Sequence, residues 1–133
     1  MNIKQTDFKL SLTHAKHTIL DVEVKLEERI QAAFVLMDDG TNDSVDILIE
    51  ALNQEINAIV KHEIIFALGE TASKRSAEAL NLAIKFDSND FDIHESLLAL
   101  STLGFKEYCE TIHQYINHPS PEVAESAEIP WKD

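Results

Sequence analysis

Four nine-residue segments of similar character recur along this chain at an almost constant interval. RIQAAFVLM begins at Arg29, KHEIIFALG at Lys61, IHESLLALS at Ile93 and AESAEIPWK at Ala124, so the steps between starts are 32, 32 and 31. In that alignment Phe34, Phe66 and Leu98 coincide, as do Leu36, Leu68 and Leu100. Another amphipathic stretch precedes each segment, which makes the repeating unit a pair of helices. Helix pairs of this length cannot bury their apolar faces alone and must stack on one another. The expected fold is therefore all-α, an α-solenoid of about four helix pairs.

Local periodicity agrees. In VDILIEAL (45–52), IVKHEIIFAL (59–68), AEALNLAI (77–84) and IHESLLALSTL (93–103) apolar residues return at steps of three and four, one stripe per helix. The pattern predicts helices near 7–20, 22–38, 43–54, 57–70, 73–86, 90–103, 105–117 and 121–128. Gly40 and Gly104 stand just past periodic runs, as helix stops. Ser120 is a candidate cap, Pro121 suits a first helical position, and Glu122 faces the positive end of the helix dipole. With 133 residues the expectation is a single domain over 1–133, with repeats near 7–38, 43–70, 73–103 and 105–128. Only 3 Gly and 3 Pro occur, which argues against collagen-like and turn-rich all-β architectures.

Charge narrows the partners. The 24 acidic and 11 basic side chains leave a net charge of −13, which repels phosphate backbones and anionic lipid surfaces. No nucleic acid and no membrane are expected as partners; a basic or lysine-bearing protein is favoured. The single cysteine, Cys109, can form neither an intrachain disulfide nor a zinc ribbon, and no stretch approaches the length of a membrane span. A soluble protein of the reducing cytoplasm is the expectation.

Two dipeptides occupy the same place in consecutive repeats: His62-Glu63 and His94-Glu95. The first repeat has Ile30-Gln31 there and the fourth Glu125-Ser126. Each pair lies near the start of the second helix of its repeat. Stacked helices run about 8–10 Å apart, so both pairs are expected to face a common space where side chains of their length converge on one or two metal ions. Imidazole and carboxylate without thiolate suit iron, manganese or zinc, and two His with one carboxylate is the ligand set of non-haem Fe(II) oxygen chemistry. Phe66 follows His62 by four residues and Leu98 follows His94, so neither helix carries the HExxH of a metalloprotease.

The run RIQAAFVL, VKHEIIFALGE, IHESLLALSTLG and PSPEVAESAEIPW resembles the deoxyhypusine hydroxylases, HEAT-repeat di-iron monooxygenases. The family is built from two similar halves of four repeats, with a His-Glu pair in the two middle repeats of each half. The resemblance covers about residues 22–131, one whole half. It implies His62, His94 and Glu95 as iron ligands, with Glu63 as the catalytic-site carboxylate facing an amine-bearing substrate. The family's di-iron site draws ligands from both halves. It follows that one half-length chain would need a partner copy, and a C2 homodimer reproduces the pseudo-twofold relation of the two halves. The cofactor implied is iron as Fe2+, a di-iron centre spanning the dimer, and the reaction an oxygen-dependent hydroxylation of an amine-bearing side chain. The rival reading is a non-catalytic HEAT-repeat scaffold that binds a protein on its concave face.

Other residues read as structure. His14 and His17 are three apart on the first helix and are a secondary metal-chelating candidate. His113 and His118 match nothing in the repeat, and Cys109 reads as a small hydrophobe. Trp131 is expected to cap the end of the solenoid. Asp38, Asp39, Asp43, Asp46, Glu50 and Glu55 fall between Ile30 and Val60, where no Lys or Arg occurs, and are expected along a solvated face.

Overall fold

The computed structural model describes residues 12–87 and 89–128, and every described element is helical. Helix α1 covers residues 12–19. It is followed by α2 (Leu26–Asp39), α3 (Asn42–Gln54), α4 (Ala58–Glu70), α5 (Lys74–Phe86) and α6 (Asp90–Leu103). A 3₁₀ turn at Lys106–Tyr108 leads into the short α7 (Cys109–His113), and α8 spans Pro121–Ser126. The chain packs as two compact units, Met1–Ala67 and Leu68–Asp133, with the boundary inside α4.

In the first unit α2 packs on α3. The core there is Ile19, Leu36, Val45, Leu48, Ile64 and Ile65, all buried. In the second unit α6 packs on both α5 and α8, around Leu68, Leu80, Ile84, Leu97, Leu100 and Ile112. Leu36, Leu68 and Leu100, which coincide in the repeat, are all fully buried, each an anchor in the last turn of its helix.

The repeat is written into the backbone as well. Among the described residues three have a left-handed conformation, Gly40 (φ 63°), Ala72 (φ 57°) and Gly104 (φ 74°), and they stand one repeat length apart. Each follows the second helix of a pair. The two glycines act as the expected stops; the stop at Ala72 carries a Cβ in a conformation that ordinarily excludes one. Beside them a buried hydroxyl recurs: Ser44 Oγ donates to Asp39 Oδ2 at 2.6 Å, and Ser76 Oγ lies 2.6 Å from Thr71 Oγ1. Asp39 and Thr71 occupy equivalent places in successive repeats, as do Ser44 and Ser76. Both serines are fully buried.

Several expected boundaries move. Helix α2 begins at Leu26 rather than near 22, because residues 21–24 form a turn: Asp21 Oδ1 accepts the Glu23 amide at 3.0 Å and the Asp21 carbonyl accepts that of Val24 at 3.1 Å. The helix expected over 105–117 is a 3₁₀ turn and five α-helical residues, with turns from Gln114 that deliver the chain to Pro119. Ser120 makes no side-chain cap; its hydroxyl donates to the Glu122 carboxylate at 3.1 Å, and Pro121 opens the helix as expected. Trp131 and the part of the first expected helix before residue 12 lie outside the described residues.

Candidate metal site

Both His-Glu pairs stand on helices that begin in the same way. Asn57 Oδ1 accepts the amides of Ile59 (2.9 Å) and Val60 (3.1 Å), capping α4. Asn89 Oδ1 accepts the amide of Asp92 at 3.1 Å, capping α6. Each Asn is itself held by a carboxylate two residues earlier: the Asn57 amide donates to Glu55 at 3.1 Å and the Asn89 amide to Asp87 at 2.8 Å. A capped first turn fixes the rotation of everything after it. His62 and His94 each come five residues after their cap, so the two helices present them alike.

The internal geometry of the pairs is the same. His62 Nε2 lies 3.6 Å from Glu63 Oε1, and His94 Nε2 lies 3.6 Å from Glu95 Oε1. All four side chains are half-buried. His94 Nδ1 is 2.9 Å from the backbone oxygen of Glu122. A carbonyl oxygen only accepts, so Nδ1 carries a proton, and Nε2 is the ring nitrogen that lies toward Glu95. This is how metal-binding imidazoles are usually oriented, one nitrogen tied to a carbonyl and the other left to ligate. The Glu122 carboxyl is held below its usual range, first by its own backbone amide at the start of α8, then by the Ser120 hydroxyl, with a smaller pull from the His94 ring.

The donor set fits a divalent ion but fills only part of its shell. Two donors 3.6 Å apart can share one ion that sits about 2.0–2.2 Å from each. Among the described residues, no three His, Cys, Asp or Glu side chains gather closely enough to hold a metal. Each pair therefore offers two donors. Glu63 and Glu95 stand in the same relation to their histidines, and the different roles given to them rest on the family resemblance.

The remaining sequence candidates divide clearly. His14 and His17 are exposed on α1; His14 lines a cleft of about 430 Å³ with Glu28, Gln31 and Val35. His118 accepts the Ser120 amide at 3.0 Å and stacks on Tyr115, while His113 is exposed at the end of α7. Cys109 is half-buried. The acidic run is not uniformly solvated. Glu55 is buried and meets buried Arg29, Oε1 to Nε at 3.0 Å, while the same guanidinium donates to the carbonyls of Val22 and Val24. Both the ion pair and the Asn caps escaped the sequence reading. The caps had a signal, since Glu55-x-Asn57 recurs as Asp87-x-Asn89 at the repeat interval; Arg29 and Glu55 are 26 apart and no periodicity joins them.

No family model matches the chain. Among curated proteins it is similar to deoxyhypusine hydroxylase-B of rice, 26% identical over 121 residues, covering 90% of this chain and 40% of the rice protein. Deoxyhypusine hydroxylase of zebrafish is 30% identical over 120 residues, again 90% of this chain and 39% of that protein. Among solved structures, human deoxyhypusine hydroxylase in complex with glycerol superimposes with a TM-score of 0.81 at 24% identity, over 96% of this chain and 44% of the human one. The fold is thus the all-helical HEAT-repeat fold. The chain spans about 40% of the length of the curated relatives it matches. Among the described residues, no helix is long and apolar enough to cross a membrane.

Proposed function

Starting from a chain that is a half-length relative of the deoxyhypusine hydroxylases, we propose that it is an iron-binding HEAT-repeat protein whose His-Glu pairs work in two copies as an oxygen-dependent hydroxylase site. His62, His94 and Glu95 hold the metal, and Glu63 receives the ammonium of a lysine-derived side chain on a basic protein. The observation that carries this reading is the repeated geometry: the same dipeptide, the same cap, and the same 3.6 Å between imidazole and carboxylate in two successive repeats.

Bound ferrous iron would supply activation of dioxygen, as it does for His and carboxylate ligand sets generally. The protein's own residues have separate work. Glu122 fixes the His94 ring through its carbonyl, which ties up Nδ1 and leaves Nε2 as the nitrogen placed to ligate. The Glu63 carboxylate, half-buried beside His62, offers a charged acceptor that orients an incoming ammonium. The chain's charge of −13 draws a cationic protein toward the site from a distance. A second copy contributes another two His and two Glu, which makes a full set of donors from identical parts.

Metal analysis tests the proposal. Purified protein reconstituted anaerobically with Fe(II) or Co(II) should retain metal after desalting, and His62→Ala/His94→Ala should lose it while the helical circular dichroism stays unchanged. Full metal content in the double variant would place the ligands elsewhere. No retained metal in the wild type would favour the scaffold reading, which the partial donor set of each pair already makes the natural rival.

A further inference from the structure

One face of α2 departs from the pattern of its own repeat. Residues 28, 31, 32 and 35 are spaced to lie on a single side of the helix. Glu28 stands where α4 has Val60 and α6 has Asp92, and Ala32 stands where they have Ile64 and Ser96. Val35 takes the place of Ala67 and Ala99, and Gln31 that of Glu63 and Glu95. On the later helices this row is closed: Val60, Ile64, Ala67, Asp92, Ser96 and Ala99 are all buried. On α2 it is open. A charge replaces Val60 and a methyl replaces the side chain of Ile64, and between α2 and α1 there is a cleft of about 430 Å³. His14 and Ala15 line it from α1, and Glu28, Gln31, Ala32 and Val35 from α2, all within the first unit. Ala15 and Ala32 are buried and Val35 half-buried, while His14, Glu28 and Gln31 are exposed. The cleft therefore has an apolar floor and a polar mouth.

We propose that this cleft binds an aliphatic ammonium, the group that ends a lysine side chain or a free alkylamine. The lining selects that chemistry. Glu28 supplies a carboxylate and no Lys or Arg stands among the lining residues, so a carboxylate or phosphate ligand is repelled here as it is by the chain's charge of −13. An ammonium only donates hydrogen bonds. The Glu28 carboxylate, the Gln31 amide oxygen and a ring nitrogen of His14 are the acceptors at the mouth. Behind them the methyl groups of Ala15, Ala32 and Val35 receive the methylene stem, as apolar surfaces ordinarily receive the stems of lysines. The volume stands at the small end of ligand pockets, with room for one such stem rather than for a helix. The site shares no residue with the His-Glu pairs and needs no metal.

Residue-resolved NMR on chelator-treated protein tests the cleft apart from the metal. n-Butylammonium should shift the signals of His14, Gln31 and Ala32 saturably, with a Kd on the order of 1–10 mM, as one exposed ion pair and a short stem allow. Butyrate should leave them in place. Glu28→Gln, a change at an exposed position, should weaken the binding by about five-fold, the loss expected with the charge of an exposed pair. Ala32→Ile restores the residue that α4 carries at this place, fills the floor, and should abolish binding with the helical circular dichroism unchanged. If the larger side chain disturbs packing, Glu28→Gln carries the test alone. Nα-acetyl-lysine methylamide separates the two sources of the group. Binding as tight as that of butylammonium assigns the cleft to a protein's lysine, and binding of butylammonium alone assigns it to free amines. No saturable shift, equal binding of butyrate, shifts confined to His62 and Glu63, or an affinity indifferent to Glu28→Gln overturns the assignment. Metal retention is read separately: Glu28→Gln should keep whatever metal the wild type keeps, so each proposal fails on its own evidence.

Discussion

Helices α2 and α6 occupy equivalent places in the repeat and use their polar residues for opposite ends. On α6 the start is tied down by the side chain of Asn89, and the polar residues one turn later, His94 and Glu95, are left half-buried. On α2 the residue at the N-cap is Lys25, which makes no side-chain cap, and the equivalent dipeptide is Ile30-Gln31. Arg29 anchors the helix start instead. Its guanidinium ties the turn at Val22 and Val24 to Glu55 and is buried in doing so. One repeat position can therefore serve folding or present ligands, and the side chain placed there decides which. The backbone address is common to both.

The strongest way to break that contrast is at Arg29. Replacing one partner of a buried ion pair leaves the other charged and desolvated, which costs about 3–5 kcal/mol. Arg29→Ala should lower the urea midpoint by that equivalent, with metal retention per folded chain unchanged. A stable Arg29→Ala protein, or one that folds but drops its metal, would show that Arg29 does not have the purely structural role assigned here.

Ala72 sharpens a second comparison, between the turns that end α2 and α4. Gly40 and Ala72 hold nearly the same left-handed φ, 63° and 57°, yet only one of them lacks a Cβ. An L-residue with a Cβ gives up about 1–2 kcal/mol in that region, part of which is offset by the lower entropy of its unfolded chain. Ala72→Gly should therefore stabilise by about 1 kcal/mol, and Gly40→Ala should cost a similar amount. The check is a shift of the denaturation midpoint at constant slope. An Ala72→Gly protein that unfolds earlier than the wild type would mean the left-handed turn is not strained.

How much was legible beforehand follows from what leaves a periodic trace. The helix pairs, the buried Leu36, Leu68 and Leu100, and the glycine stops at 40 and 104 were readable because each recurs at the repeat length. The His-Glu pairs were found the same way. Ala72 was missed because it is not a glycine, although its position is fixed by the two that are. The turn before α2 was missed because apolar Val22 and Val24 continue a helical pattern, while the short-range bonds of Asp21 decide otherwise. The Arg29–Glu55 pair leaves no periodic mark, since a long-range ion pair depends on tertiary packing that no local spacing reports. Nor could spacing supply the bond from His94 to the distant Glu122 carbonyl, which is what orients the ring.

The smallest effect expected distinguishes the turns by pH. The first turn is closed by a carboxylate, Asp39, accepting the hydroxyls of Ser44 and Thr41; the second by neutral Thr71 and Ser76. The Ser44 hydroxyl, followed by that of Thr41, holds the Asp39 carboxyl below its ordinary value of 3.8. A carboxyl whose folded pKa is depressed contributes stability that is fully present above the unfolded value and is lost as pH falls through the folded one. The contribution of Asp39 should therefore persist down to about pH 4 and fade below it, whereas Thr71–Ser76 contributes equally at all pH values. Because Asp39 is only half-buried, solvent screening keeps its share to a few tenths of a kcal/mol. Asp39→Asn should be slightly less stable than the wild type at pH 7 and converge on it as the pH falls through the lowered carboxyl pKa, while Thr71→Ala should show a constant deficit across the range. Parallel unfolding curves at several pH values decide the matter. An Asp39→Asn deficit that stays constant into acid would show that this turn is held by packing around Ser44 rather than by the charge of Asp39.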